Sequence, residues 1–240
     1  MSAHPQTHGV AAPTDLTTLL SAAGWPCLAD RILAGGCHDL NGRASALYGL
    51  AELARAGEEE NFLNEALSTE AKRIQTLAAS LRTLSDRAPD DPRPISIREE
   101  LGPAAALFSL QPGGERFRLD IQADPATPAA FAPSRSLTRA ILLALNVVAA
   151  NVLRTHSSGT LRLTAAPAEG RPGLMIEGRG RASAHGADPG SRELRERFGE
   201  WPVELSDAFE GLGAEVHFQG GVPSEGAGPQ VEVRLSRPPE

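Results

Sequence analysis

An α+β fold is what this sequence of 240 residues predicts: an N-terminal antiparallel helical hairpin followed by an α/β sandwich. Three observations predict it. Between residues 29 and 84, apolar and small side chains recur at alternating four- and three-residue spacings, the mark of a helical seam. The segment DRAPDDPRP (86–94) then breaks the pattern with three prolines and several charges. Beyond it, short alternating strands and helices succeed one another to the end of the chain.

Residues 1–14 lack the basic and apolar regions of a signal peptide and read as a disordered lead-in, so a cytoplasmic location is expected. The hairpin unit is assigned to residues 15–88. Its first helix runs over 29–56, with a seam of Leu33, Cys37, Leu40, Ala44, Leu47, Ala51 and Ala54. Gly57, in AGEEEN, is a plausible helix stop. The second helix repeats the spacing at Leu63, Leu67, Glu70, Ile74, Leu77, Leu81 and Leu84, broken only by Glu70. A lone hairpin buries one seam and leaves its other apolar surface wet. Dimerisation into a four-helix bundle is the simplest remedy; packing on the chain's own C-terminal half is the alternative. Cys27 and Cys37 on one helix would stand about 15 Å apart, too far for a disulfide, and buried thiols are expected.

Residues 89–240 form the second unit. A short strand and a helix fit 94–110, and a half-buried strand fits ERFRLDIQ (115–122). A strongly apolar helix fits 134–155, with Ser134 as candidate N-cap. Strands follow at 160–167 and 173–180, helical material at 191–213, and closing strands at 214–220 and 230–237. The mixture implies a sandwich with helices on one face of the sheet.

Composition narrows the partners. A net charge of -7 argues against nucleic acid as the main one. No run of about 18 apolar residues exists, so no membrane span is expected. No Ser/His/Asp set, paired carboxylates or metal-ligand spacing stands out, and no metal is expected.

The informative stretch is LAGGCHDLNGRASAL (33–47), where a helix accepts Gly35, Gly36 and Gly42 at about 1 kcal/mol each relative to alanine. His38 has Ala34, Gly35, Asn41 and Gly42 as its three- and four-residue neighbours, with Ser45 a turn further on. It lies one step off the seam and is therefore expected to be exposed. The glycines clear space for another protein around the imidazole, or they mark a kink beside an ordinary surface histidine. A neutral imidazole can accept a phosphoryl group and pass it on. Asp39 is placed to hold the other ring nitrogen, or simply to pair with Arg43 four residues on.

CHDLNGRASALYGLAEL resembles the H-box of two-component histidine kinases, in which histidine is followed by an acidic residue and leucine on the first helix of a dimeric hairpin. The second helix and PISIREELGPAAALF sit where that family places them, so the resemblance covers about residues 27 to 235. It implies that His38 is the phosphoacceptor, that Asp39 assists it, and that receiver domains of response regulators dock nearby. Gly35, Asn41, Gly42, Arg43 and Ser45 would be the docking residues. The family's threonine or asparagine four positions after the histidine is replaced by Gly42, which removes the group tied to phosphatase activity.

The resemblance extends to an ATPase-like second domain, but only in part. ANVLRTH resembles NAIKYT, which puts Asn151 at the Mg-binding asparagine and Arg154 at its basic neighbour; Asn146 is a second candidate. The adenine-reading aspartate of the Asp-x-Gly-x-Gly box corresponds to Ile176, with Gly178 and Gly180 as the glycines. Glu177 lies on the other face of the strand, and DPG at 188–190 is followed by Arg192 where a glycine is needed. Arg197, Phe198, Trp201 and Pro202 occupy the later glycine-rich turn. Loss of ATP binding is therefore expected. A phosphoacceptor hairpin joined to a kinase-like domain without a nucleotide site resembles histidine phosphotransferases of the ChpT type. These shuttle phosphoryl groups between receiver aspartates, need no cofactor of their own, and rely on Mg2+ supplied by the receiver. A divergent ATP-dependent histidine kinase, using Asn151, and a non-catalytic dimeric adaptor are the alternatives.

Overall fold

The structure, a computed structural model, describes residues 25–56, 60–85, 90–153, 156–181, 209–219 and 228–239. The lead-in, Gly57 and most of the helical material assigned to 191–213 lie outside these residues.

Helices α1 (Trp25–Arg55) and α2 (Glu60–Ser85) form the predicted antiparallel hairpin. The second seam holds: Leu63, Leu77 and Leu84 are buried, and Leu67, Ile74 and Leu81 half-buried. The first is displaced by one residue. Trp25, Leu28, Ile32 and Gly36 are the buried positions of α1, whereas of the expected seam Leu40 and Leu47 are half-buried and Leu33, Cys37, Ala44, Ala51 and Ala54 are exposed. The reason is that the base of the hairpin packs into the rest of the chain. Trp25, Leu28, Ile32 and Leu84 belong to the same hydrophobic core as the sandwich. Both cysteines are free and exposed, not buried, because they share the outward face.

The connection after the hairpin is anchored. β1 (Arg93–Ile95) pairs with β3 (Ala130–Ala132), and α3 (Ile97–Leu110) follows β1 directly. A 3-10 turn (Gly114–Arg116) then leads into β2 (Phe117–Ala123). The apolar helix is α4 (Ser134–Val152), followed by β4 (Gly159–Ala168), β5 (Arg171–Gly180), β6 (Glu215–Gln219) and β7 (Gln230–Arg234). The main sheet runs β2-β4-β5-β7-β6, parallel between β2 and β4 and antiparallel elsewhere.

Helix α4 is long and apolar enough by length and composition to cross a membrane, but most of it is buried inside the fold. It is the core helix. Its N-terminus is capped from a distance: Asp90 Oδ2 accepts the Ser136 amide (2.8 Å) and hydroxyl (3.0 Å). Ser134 is not the cap. Pro133 takes that position without a side-chain bond, and the Ser134 hydroxyl donates to Glu100 Oε1 at 2.7 Å. Thr138 Oγ1 donates to Glu100 Oε2 at 2.7 Å, so one α3 carboxylate holds two hydroxyls of α4. Arg139 ties α4 to the hairpin. Its guanidinium lies 5.1 Å from the centre of the Trp25 ring and donates to the Thr83 and Leu84 carbonyls at 3.3 and 3.4 Å, at the C-terminal end of α2.

Candidate functional site

His38 is exposed on α1, on the rim of a cleft of about 500 Å³ between the hairpin and the sandwich. Ala34, Gly35, His38 and Asp39 line one wall. Ser109, Leu110, Gln111, Pro112 and Glu115 line the other, from the end of α3 and the turn beyond it.

The glycines around His38 serve different purposes. A Cβ on Gly35 would lie 1.6 Å from the Leu110 carbonyl oxygen, so only glycine lets the end of α3 approach α1 there. A Cβ on Gly36 would lie 2.8 Å from Leu81 Cδ2, in the packing between α1 and α2. Of these three, Gly42 alone faces open space, with nothing among the described residues within 4 Å of an added Cβ. The expected clearing for a partner therefore holds at Gly42 and is filled by the chain itself at Gly35 and Gly36. The close approach at Gly35 is what fixes the sandwich beside the histidine.

Asp39 is engaged. Arg43 Nε donates to Asp39 Oδ2 at 3.0 Å and its Nη1 to Glu70 Oε2 at 3.2 Å, while Arg73 Nη1 donates to Glu70 Oε1 at 2.6 Å. The one polar break in the α2 seam is thus the residue that receives Arg43 from α1. The hydrogen bond from Arg73, opposed by burial and reinforced by Arg43, holds the Glu70 carboxyl below its usual value. Burial works against the charge on Arg43, but the bonds to Asp39 and then Glu70 prevail and raise its pKa. Among the described residues no hydrogen bond joins Asp39 to His38; its carboxylate orients Arg43. Asn41, Gly42 and Ser45 are exposed along the turns that follow His38, and the Ser45 hydroxyl donates to the Asn41 carbonyl at 3.0 Å.

The second wall contains residues that the sequence did not single out. Gln111 is only 1% exposed, and among the described residues neither its Nε2 nor its Oε1 has a hydrogen-bond partner. Glu115 Oε2 accepts the Gly113 amide at 2.9 Å, which closes the turn after α3. The helix-ending QPGG marks a turn in the sequence, but nothing there places it beside residue 38.

Of the positions assigned to nucleotide binding, Ile176, Gly178 and Gly180 are packed against neighbouring side chains. Ile176 is fully buried, paired across the sheet with Leu163 and Val231. A Cβ on Gly178 would lie 2.6 Å from Val152 and 2.7 Å from Val148, so α4 rests directly on β5. A Cβ on Gly180 would lie 2.1 Å from the His156 ring. Glu177 is in register with Arg162. Asn151 is half-buried and its Nδ2 donates to the Val147 carbonyl at 2.9 Å. Asn146 is fully buried and bonds the Leu142 carbonyl at 2.7 Å. Arg154, Arg192, Arg197, Phe198, Trp201, Pro202 and the DPG segment lie outside the described residues. Among those described, no group of three or more His, Cys, Asp or Glu is disposed to hold a metal ion.

No known family pattern matches the sequence, and no curated protein matches it. Similar solved structures include the Acinetobacter baumannii histidine kinase AdeS, 14% identical, with a TM-score of 0.39 over 83% of this chain and 97% of that one. A bacterial phosphotransferase solved at 1.7 Å is 14% identical, with a TM-score of 0.41 over 93% and 98% of the two chains. The cytoplasmic segment of the histidine kinase QseC is 12% identical, with a TM-score of 0.41 over 70% of this chain and 95% of its own.

Proposed function

We propose that this chain is a histidine phosphotransferase that passes phosphoryl groups between receiver-domain aspartates through His38, acting as a homodimer and without ATP. The observation that carries the reading is the placement of His38: an exposed imidazole where α1 meets the sandwich, with open space over Gly42 one turn further along. Asn41, Gly42 and Ser45 would form the nearest part of the partner's seat.

The transfer balances without a cofactor of this chain. The unprotonated imidazole nitrogen of His38 attacks phosphorus in line. The new N–P bond forms as the bond from phosphorus to the aspartyl oxygen breaks, and the carboxylate leaves with the bonding pair. The other ring nitrogen then releases its proton. Mg2+ held by the receiver would neutralise the phosphoryl oxygens. The reverse sequence hands the group to a second receiver. Asp39 contributes by fixing Arg43, and through it Glu70, so that the helix carrying His38 is braced against α2.

Absence of ATP chemistry in this reading is supported by Ile176 and by the closure of Val148 and Val152 over Gly178. The dimer is supported by the exposed apolar side chains toward the far end of the hairpin, Leu53 and Phe62 among them, which the sandwich leaves uncovered. The test is a labelling experiment on wild type and His38→Ala, with labelled ATP in one arm and phosphorylated receiver domains in the other. Label from receivers only, and only on wild type, is expected. Label from ATP that Asn151→Ala abolishes would establish a kinase instead. No label from either source would leave a non-catalytic adaptor.

A further inference from the structure

Four polar side chains besides His38 line the cleft, and three of them are committed. Asp39 receives Arg43, the Ser109 hydroxyl donates to the Ala105 carbonyl at 3.0 Å, and Glu115 accepts the Gly113 amide. The fourth is Gln111. Its backbone is pinned, with the amide donating to the Phe108 carbonyl at 3.3 Å and the carbonyl accepting the Gly114 amide at 2.9 Å. Its side-chain amide is buried, and among the described residues both polar atoms lack a partner. A buried amide without a partner costs stability, and one reason a fold retains such a group is a role in catalysis. The Gln111 Cα lies 3.5 Å from where a Cβ on Gly35 would stand. His38 is one turn further along the same face of α1. Side chains on successive turns of a face stand about 5–6 Å apart, within the span of a glutamine side chain. No hydrogen bond among the described residues holds the exposed His38 ring itself.

We infer that Gln111 is the positioning residue for His38: its amide holds Nδ1, the ring nitrogen nearer the backbone, when the imidazole turns into the cleft. That leaves the outer nitrogen of His38, its Nε2, to attack phosphorus. The inference rests on the phosphotransfer reading above. A neutral imidazole carries one proton, and the hydrogen bond made at one nitrogen decides where the lone pair lies. Left to itself the ring favours the proton on its outer nitrogen, which then cannot attack. Gln111 Oε1, accepting from Nδ1–H, selects the reactive form. As the N–P bond forms and the aspartyl oxygen leaves with its bonding pair, the ring becomes cationic and the Nδ1 proton passes to water. The amide of Gln111 then turns and donates an N–H to the bare Nδ1. An amide carries both the acceptor and the donor that this sequence needs, whereas an ionised carboxylate only accepts. Asp39 and Glu115 would also repel the phosphoryl oxygens, which the neutral Gln111 does not.

The test compares wild type with Gln111→Met, which keeps the length of the side chain and removes both hydrogen-bonding groups. Because the amide has no partner to lose, the variant should unfold in urea at the wild-type midpoint or above it. In mildly alkaline solution, the ring-nitrogen signals of His38 in NMR should show the proton mainly on Nδ1 in wild type and mainly on the outer nitrogen in the variant. Phosphoramidate, which phosphorylates histidine directly and needs no docking surface, should label the variant about tenfold more slowly, the scale of one lost hydrogen bond. With a phosphorylated receiver domain as donor, the loss should fall on kcat and leave KM unchanged.

The same proton position in both proteins would overturn the inference, and so would equal rates with phosphoramidate. A lowered urea midpoint with slower labelling but an unchanged ring would make Gln111 a packing residue and overturn it as well. A loss confined to KM with the receiver would do the same, because it would place Gln111 in contact with the partner and not with His38. If phosphoramidate labels wild type and no receiver does, the phosphotransfer reading fails, while the ring-nitrogen signals still decide whether Gln111 holds His38.

Discussion

Gly35 and Gly42 flank His38 on one helix and look alike in the sequence, yet they should respond in opposite ways to a methyl group. At Gly35 the added Cβ would meet the Leu110 backbone at 1.6 Å, and backbone cannot rotate aside. Gly35→Ala must push the end of α3 off α1 and should cost about 3 kcal/mol or more. At Gly42 the Cβ meets nothing within 4 Å. Gly42→Ala should therefore stabilise the helix, by up to about 1 kcal/mol. Urea titrations of the two variants check both signs. A larger side chain at Gly42 should keep the fold and slow transfer from a receiver, since it projects beside His38. The sequence pointed either to a close approach at this stretch or to a kink, and did not say what would approach. A glycine tolerated in a helix looks the same whether its own chain or another fills the space. Gln111 was hidden for a similar reason: its place opposite Gly35 comes from a tertiary approach that no local pattern records.

Among the elements, α2 was legible and α1 was off by one residue. In α2 the same stripe that carries the heptad faces the chain's own partner. In α1 two adjacent stripes are apolar or small, Leu28/Ile32/Gly36 and Leu33/Cys37/Leu40, and both recur at helical spacings of three or four residues. The sandwich takes the first, leaving most of the second outside. Glu70 links the two helices and gives a pH test. Its folded-state pKa is depressed below the ordinary 4.5, first by the Arg73 hydrogen bond and then by Arg43. The folded protein therefore binds this proton less readily than the unfolded chain. Its contribution is fully present above the unfolded value and is lost as pH falls through the depressed one. Glu70→Gln should lower the urea midpoint relative to wild type above pH 4.5, and the two midpoints should converge as the medium is made more acidic. A constant offset down to the lowest pH would mean that the carboxylate charge is not what Arg43 and Arg73 respond to.

At the scale of the whole molecule, the sandwich and hairpin were both legible, because the change from seven-residue periodicity to two-residue alternation survives any detail of packing. Their junction was not, and the junction sets how much apolar surface a single copy leaves uncovered. Leu33, Tyr48, Leu53 and Phe62, at 38%, 69%, 42% and 59% exposure, account for all but one of the exposed large hydrophobic residues among those described. All four lie on the hairpin. Leu53 and Phe62 share an open groove with Leu50 and Ala66 toward the end of the hairpin farthest from Trp25 and Leu84. A second hairpin set against this surface would complete a four-helix bundle, and burying side chains of this size yields about 1.5–3 kcal/mol each. Leu53→Asp/Phe62→Asp should therefore dissociate the pair without unfolding the chain, because the main core draws on the base of the hairpin and not on this end. Sedimentation at micromolar concentration should show wild type as a dimer and the variant as a monomer with unchanged circular dichroism. A wild-type monomer would mean that the outward stripe has no second copy to cover it. A dimeric variant would move the contact to the Leu33 and Cys37 portion of α1, beside His38, where docking of a receiver and of a second copy would compete.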